Sequence, residues 1–127
     1  MNKKFRYYLA VAFLLTALLN ACYYDQVATS EGIPTNVSLK NDVQPIFDRD
    51  CNMSGCHDTK PSHHPSLIRE NAYNDLTSGG YVNTVDPVNS VLYLSINGGG
   101  MPAGRAPLSD KDKKIILGWI TDGAKNN

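Results

Sequence analysis

The chain has 127 residues, with 12 basic and 12 acidic side chains that leave no formal net charge. Without a basic excess or basic clusters it lacks the electrostatic footprint of a nucleic-acid-binding protein. Its length leaves room for one small domain.

The first element is a targeting segment. Lys3, Lys4 and Arg6 precede an apolar run from Leu9 to Leu19 that is too short for a comfortable membrane span. The run ends in Leu19-Asn20-Ala21-Cys22, which resembles a bacterial lipobox. Residues 1–21 are therefore expected to be a lipoprotein signal peptide, with Cys22 lipidated as the first mature residue. An ordinary signal peptide or a short membrane anchor is the alternative. Either way the sequence predicts export to a compartment that permits thiol oxidation, and with Cys22 lipidated the protein is expected as a bacterial lipoprotein on the periplasmic or cell-surface face of a membrane. Loss of Lys3, Lys4 and Arg6 leaves nine basic against twelve acidic residues. Residues 22–36 hold Gln, Thr, Ser, Glu, Gly and Pro without apolar periodicity, as expected of a tether. Residues 37–127 are expected to form the domain, and the absence of an internal repeat predicts one site per chain.

Within the domain the periodicity is helical. Val43, Ile46, Phe47 and Cys51 share one face of a first helix over 42–50, with Asn41 or Asp42 as its cap and Pro45 beside its first turn. Leu67, Ile68, Ala72, Tyr73 and Leu76 predict a second helix over 67–76. Asp86-Pro87 reads as a cap followed by proline at the first helical position, leading into Val88, Val91, Leu92 and Leu94. Ser109 with Asp112 forms a near capping box ahead of Ile115, Ile116, Trp119 and Ile120, and Gly123 is placed to end that last helix. Gly118 inside it implies close approach of another backbone, with the first helix as the expected neighbour. No segment alternates as a strand, so the fold class is all-α.

The chemistry lies in Cys51-Asn52-Met53-Ser54-Gly55-Cys56-His57 and in Met101-Pro102. Two cysteines with histidine next to the second match covalent haem attachment, in which the thiols add across the porphyrin vinyl groups and the imidazole meets the iron. Four residues between the cysteines, instead of the usual two, set them about 500° apart on an ideal helix, some 140° off one face. Asn52, Ser54 and Gly55 are turn formers that would let the extra residues bulge. Met101, in a loop with Gly98 to Gly100 and Pro102, is a candidate sixth ligand, because Met1 leaves with the signal and Met53 lies between the attachment cysteines.

The order of these parts resembles the cytochrome c family, in particular exported bacterial monohaem domains of planctomycete type. The resemblance is carried by Val43-Gln44-Pro45-Ile46-Phe47, Cys51, Cys56-His57, Asp86-Pro87-Val88-Asn89-Ser90-Val91-Leu92-Tyr93, Met101-Pro102, Leu108-Ser109-Asp110 and Gly118-Trp119-Ile120-Thr121-Asp122-Gly123-Ala124. It covers nearly all of residues 37–124, and it departs from the family pattern at the wide cysteine spacing. It implies three to five helices wrapped around one covalently attached haem c, with N- and C-terminal helices crossing, His57 as proximal ligand and Met101 as distal ligand. The implied function is single-electron transfer by a membrane-anchored carrier, not an enzyme. Its partners would be redox proteins of a respiratory or periplasmic chain, with no nucleic acid and no small-molecule substrate evident.

Other readings use the same residues. Cys51 and Cys56 are also placed for a disulfide in a haem-free or haem-sensing binding lipoprotein. With His57 and either His63 or His64 they would make a four-ligand zinc site. His63 or His64 would instead give bis-histidine ligation, though six or seven residues from His57 they have little chain with which to cross the iron. Met101 could simply fill core. Trp119, Tyr73 and Tyr93 are read as core or pocket lining. Arg69 and Arg105 are candidate partners for a haem propionate, with Arg69 the better candidate for an ordinary surface position.

Overall fold

The computed structural model describes residues 2–6 and 32–127. Most of the expected signal peptide, the expected lipidation site Cys22 and most of the expected tether lie outside the described residues. Two compact units divide the chain, Met1–Glu31 and Gly32–Asn127. In the first, Lys3, Lys4 and Arg6 are exposed. No helix among the described residues is long and apolar enough to cross a membrane.

The second unit is all-α. A π-helical turn over Leu39–Val43 runs directly into α1 (Gln44–Asp50). Next come α2 (Ala72–Ser78), a 3-10 turn (Pro87–Asn89), α3 (Val91–Asn97) and α4 (Asp110–Thr121). There is no strand among the described residues.

The helix starts are where sequence and structure differ most. The first helical segment begins earlier than expected because Ser38, not Asn41 or Asp42, caps it. The Ser38 hydroxyl accepts from the Asn41 amide at 3.2 Å, and the Asp42 carboxylate accepts from the Ser38 amide at 2.8 Å. This reciprocal pair satisfies two otherwise orphaned donors. The second helix begins late, at Ala72, because the backbone before it is already engaged elsewhere. The Ser66 amide donates to Asp75 at 2.8 Å and the Leu67 amide to the His57 carbonyl at 2.8 Å. The third helical stretch is broken at Ser90, whose backbone is extended and whose buried hydroxyl accepts from the Asn83 amide at 2.9 Å. The last helix matches expectation, with the Ser109 hydroxyl accepting from the Asp112 amide at 3.1 Å and Gly123 at φ +96° beyond its end.

The core is one cluster. Val43, Ile46 and Phe47 meet Leu76, Ile96, Ile116, Trp119 and Ile120. Trp119 is completely buried, and its indole N–H donates to the Lys125 carbonyl at 2.8 Å. The first helical turn is tied to the last residue: the Leu39 amide donates to the Asn127 side chain and the Lys40 amide to the Asn127 carbonyl, each at 2.9 Å.

Gly118 does face a close backbone, but the neighbour is not the first helix. A β-carbon placed there would lie 2.5 Å from the Pro34 carbonyl oxygen and 3.0 Å from a Val37 methyl. The segment just before the first helical turn therefore lies against α4, fixed further by the Val37 amide donating to Asp122 at 2.9 Å. Gly118→Ala gains up to about 1 kcal/mol of helix propensity, yet it drives a methyl into a carbonyl that cannot swing away. A net loss of about 1–3 kcal/mol is expected in urea unfolding. An unchanged midpoint would show that Pro34 does not press on α4.

Candidate functional site

The loop after α1 is built to turn back on itself. Cys51 is the C-terminal cap of α1, and the chain beyond it leaves the helix. The Cys56 amide donates to the Met53 carbonyl at 2.9 Å, closing a turn in which Gly55 takes φ +78°, a region open chiefly to glycine. The His57 amide reaches the Cys51 carbonyl at 3.3 Å. The two residues in excess of the usual spacing thus lie in a turn, and no helix links the two cysteines. Asp58 braces the turn, its carboxylate accepting from the Gly55 amide at 2.9 Å and the Lys60 amide at 3.0 Å.

His57 is held from its far side. Its Nδ1 lies 2.7 Å from the Pro65 carbonyl oxygen. A carbonyl oxygen only accepts, so Nδ1 carries the proton and Nε2 keeps its lone pair for a ligand bond. The loop that supplies Pro65 is anchored in turn by two hydrogen bonds. The Leu67 amide donates to the His57 carbonyl, and the Ser66 hydroxyl donates to the Asp58 carbonyl at 2.7 Å.

Cys51, Cys56, His57 and Met101 all line one cavity of about 270 Å³, open on one side. The loop following α1 forms part of its wall, and α3 with the Met101 loop forms another. Phe47, Leu67, Tyr81, Leu92 and Ile96 make much of the rest apolar. Met101 is half-buried, packs against the core, and donates its amide to the Ser95 carbonyl at 3.0 Å. This location is a cavity wall and not core interior. Met53, by contrast, is exposed and lies against the Arg105 guanidinium.

Both cysteines are free thiols, Cys51 buried and Cys56 exposed. Burial pushes the Cys51 thiol up to about 12, and the neighbouring Asp50 carboxylate adds to the shift. Among the described residues no group of three or more His, Cys, Asp and Glu side chains stands ready to hold a metal ion, so the four-ligand zinc arrangement is not assembled. His63 and His64 also line the cavity, both exposed, on the same segment as His57. His64 Nδ1 is 3.6 Å from an Asp75 carboxylate oxygen.

The two arginines part company. Arg105 lines the cavity, 4.0 Å from the Asp50 carboxylate. Arg69 is spent elsewhere, on Asp48 at 3.0 Å and the Lys40 carbonyl at 3.3 Å. Of the aromatic residues, Trp119 is core, Tyr73 and Tyr93 pack against the core, and Tyr81 lines the cavity without having been singled out in the sequence. Its apolar context was visible, but nothing local says that the turn at Gly79 and Gly80 would aim it at this site.

Gln44 is a second residue that sequence reasoning passed over. It is fully buried, and its amide donates to the Leu67 carbonyl and to Asp48, each at 2.9 Å. It thereby joins α1 to the residue that closes the His57 loop. Its polarity amid Val43, Ile46 and Phe47 was the available signal.

Comparison with known proteins finds no matching family model, no matching curated protein and no matching solved structure.

Two outcomes follow from this geometry. In the haem-free chain, alkylation at about pH 8 should modify exposed Cys56 faster than Cys51 by on the order of 100-fold or more, because Cys51 is buried and its burial disfavours the thiolate. The contrast should vanish in urea, as peptide-resolved mass spectrometry will test. Gln44→Ala should cost about 1–3 kcal/mol in urea unfolding by leaving the Leu67 carbonyl without its donor. A smaller loss than that of an exposed control would reject its bracing role.

Proposed function

We propose that this protein is an exported, membrane-anchored c-type cytochrome that carries single electrons, with Cys51 and Cys56 as attachment sites and His57 and Met101 as axial ligands. The observation that carries this reading is the His57 Nδ1–H bond to the Pro65 carbonyl, inside a cavity that also holds both thiols and Met101. An imidazole fixed at one nitrogen and free at the other is what an axial ligand requires.

The donor set suits the group in its chemistry. The thiols supply two covalent attachment points, the imidazole a neutral nitrogen, and Met101 a soft thioether. Haem, when bound, would supply a one-electron iron couple. The chain's own residues do the rest. Phe47, Leu67, Leu92 and Ile96 give the site apolar walls, which would raise the cost of a net positive charge there. The Pro65 carbonyl keeps the His57 ring in one tautomer and one orientation. Arg105 lines the cavity and would supply a guanidinium to a haem propionate. Anchorage at Cys22 would hold the carrier at a membrane surface among its redox partners.

The test is production in a host equipped for covalent haem attachment. Intact mass should rise by one haem, and a pyridine haemochrome spectrum should report attached c-type haem. A red protein that loses its colour to acid–acetone, or a colourless one weighing no more than polypeptide and lipid, would overturn the reading. Met101→Ala should keep the covalent haem while lowering the midpoint potential by on the order of 0.1 V, since a thioether favours the ferrous state. An unchanged potential and spectrum would remove Met101 from the ligand set.

A further inference from the structure

The carbonyl that holds His57 does not act alone. It belongs to the peptide group between Pro65 and Ser66, and the N–H of that same group donates to an Asp75 carboxylate oxygen at 2.8 Å. One planar unit therefore accepts from the His57 Nδ1–H at 2.7 Å on one edge and donates to a carboxylate on the other. Pro65, Ser66 and Leu67 are all buried, so this peptide is withdrawn from water. The Asp75 bond spans nine residues, and it is not the local reciprocal bond of a capping box.

Asp75 brings to that unit a charge that no lysine or arginine offsets. Among the described residues its one ion-pair neighbour is the exposed His64, whose Nδ1 lies 3.6 Å from the same carboxylate oxygen. Asp48 and Asp50 on α1 each face an arginine instead, at 3.0 Å from Arg69 and 2.6 Å from Arg49. The Asp58 carboxylate is turned to the Gly55 and Lys60 amides, neither of which shares a peptide group with the Pro65 carbonyl. Asp75 is thus the carboxylate whose hydrogen bond leads, through one peptide, to the His57 ring.

We propose that Asp75 is a positioning residue that acts on His57 through the Pro65–Ser66 peptide and makes its Nε2 a stronger ligand atom, an inference that rests on the reading of His57 as an axial ligand. A peptide whose N–H gives to an anion is polarised, and its carbonyl becomes a better acceptor, because linked hydrogen bonds strengthen one another. A stronger pull on the Nδ1 proton leaves a more basic lone pair at Nε2. Where a carboxylate accepts directly from a ligating imidazole the same effect is produced at full strength. Here the intervening peptide passes on part of it and keeps the charge on α2, off the ring itself. A more basic imidazole favours the ferric state, whereas the Met101 thioether favours the ferrous one. Asp75 and Met101 therefore pull the redox balance of the site in opposite directions.

Asp75→Asn separates charge from geometry, because a carboxamide oxygen still accepts from the Ser66 amide while the negative charge is gone. The sample is the full chain in detergent, produced in a host equipped for haem attachment and kept in the ferrous, diamagnetic state. Nitrogen-edited NMR then reads the Ser66 amide proton and the His57 Nδ1 proton. Both should move upfield together in Asp75→Asn, with the visible spectrum and the His57 tautomer unchanged. The equilibrium constant for reduction should rise about threefold to tenfold, a tenfold rise being about 59 mV for a one-electron couple. Asp110→Asn removes the same charge from an exposed position on α4; it should leave both protons in place and change that constant less than about twofold. Should Asp75→Asn fail to fold, hydrogen-bond couplings in the unsubstituted protein decide, from His57 Nδ1 to the Pro65 carbonyl carbon and from the Ser66 nitrogen to the Asp75 carboxyl carbon. A Ser66 proton that moves while the His57 proton stays, a reduction equilibrium no more altered than by Asp110→Asn, or the absence of either coupling would each overturn the proposal. Haem content keeps the two questions apart, since the same protons are read in haem-free material. Linked shifts there would remove the carrier and keep the relay, whereas a haem-loaded protein with unlinked shifts would keep the carrier and remove the relay.

Discussion

An imidazole acts as a fixed ligand only if its other nitrogen is held, and here the Pro65 carbonyl holds His57 from 2.7 Å. Much of the surrounding structure keeps that carbonyl in place. Leu67 donates back to the His57 carbonyl, Ser66 to Asp58, and Gln44 reaches from α1 to the Leu67 carbonyl. Each bond alone is worth only about 1 kcal/mol net. Together they fix both ends of the loop, at 57–58 and at 65–67. The late start of α2 fits the same constraint, because the Leu67 carbonyl, which a helix from 67 would offer to the Asn71 amide, accepts from Gln44 instead.

The wide spacing of the two cysteines is accommodated by the same economy of backbone. A helix through Cys51 and Cys56 would point the thiols apart. The chain ends the helix at Cys51, turns through Gly55 at positive φ, and brings the His57 amide back to the Cys51 carbonyl. Asp58 then caps the turn from the side. A loop of this kind places both thiols and the imidazole at one cavity while leaving Cys51 buried and Cys56 exposed. The proposed attachment chemistry requires such a convergence.

The cavity lies where two parts of the chain with different characters meet. Residues 42–58 are rich in charge, and they contribute the thiols and His57. Residues 87–104 have no charge, and they contribute Met101 and the exposed side chains of Val88, Val91 and Leu94. This division gives the molecule one neutral face beside the site and charged faces elsewhere. Arg105 stands at the boundary, on the Met101 loop but directed toward Asp50 and Met53 of the other part.

The sequence by itself determined the class of fold and the cluster of reactive side chains. Apolar spacing of three and four marks the helices, the Ser109–Asp112 pair marks the start of α4, and Cys51, Cys56, His57 and Met101 stand out by chemistry alone. These signals are local, set by residues within one or two turns of each other. Only the tertiary structure decided that Pro34, not α1, lies against Gly118, and that Gln44 and Tyr81 belong to the site. Those outcomes depend on contacts between residues far apart in the chain, such as Gly118 with Pro34 and Gln44 with Leu67. No local pattern encodes which distant backbone will arrive, because that is settled by how the whole core closes.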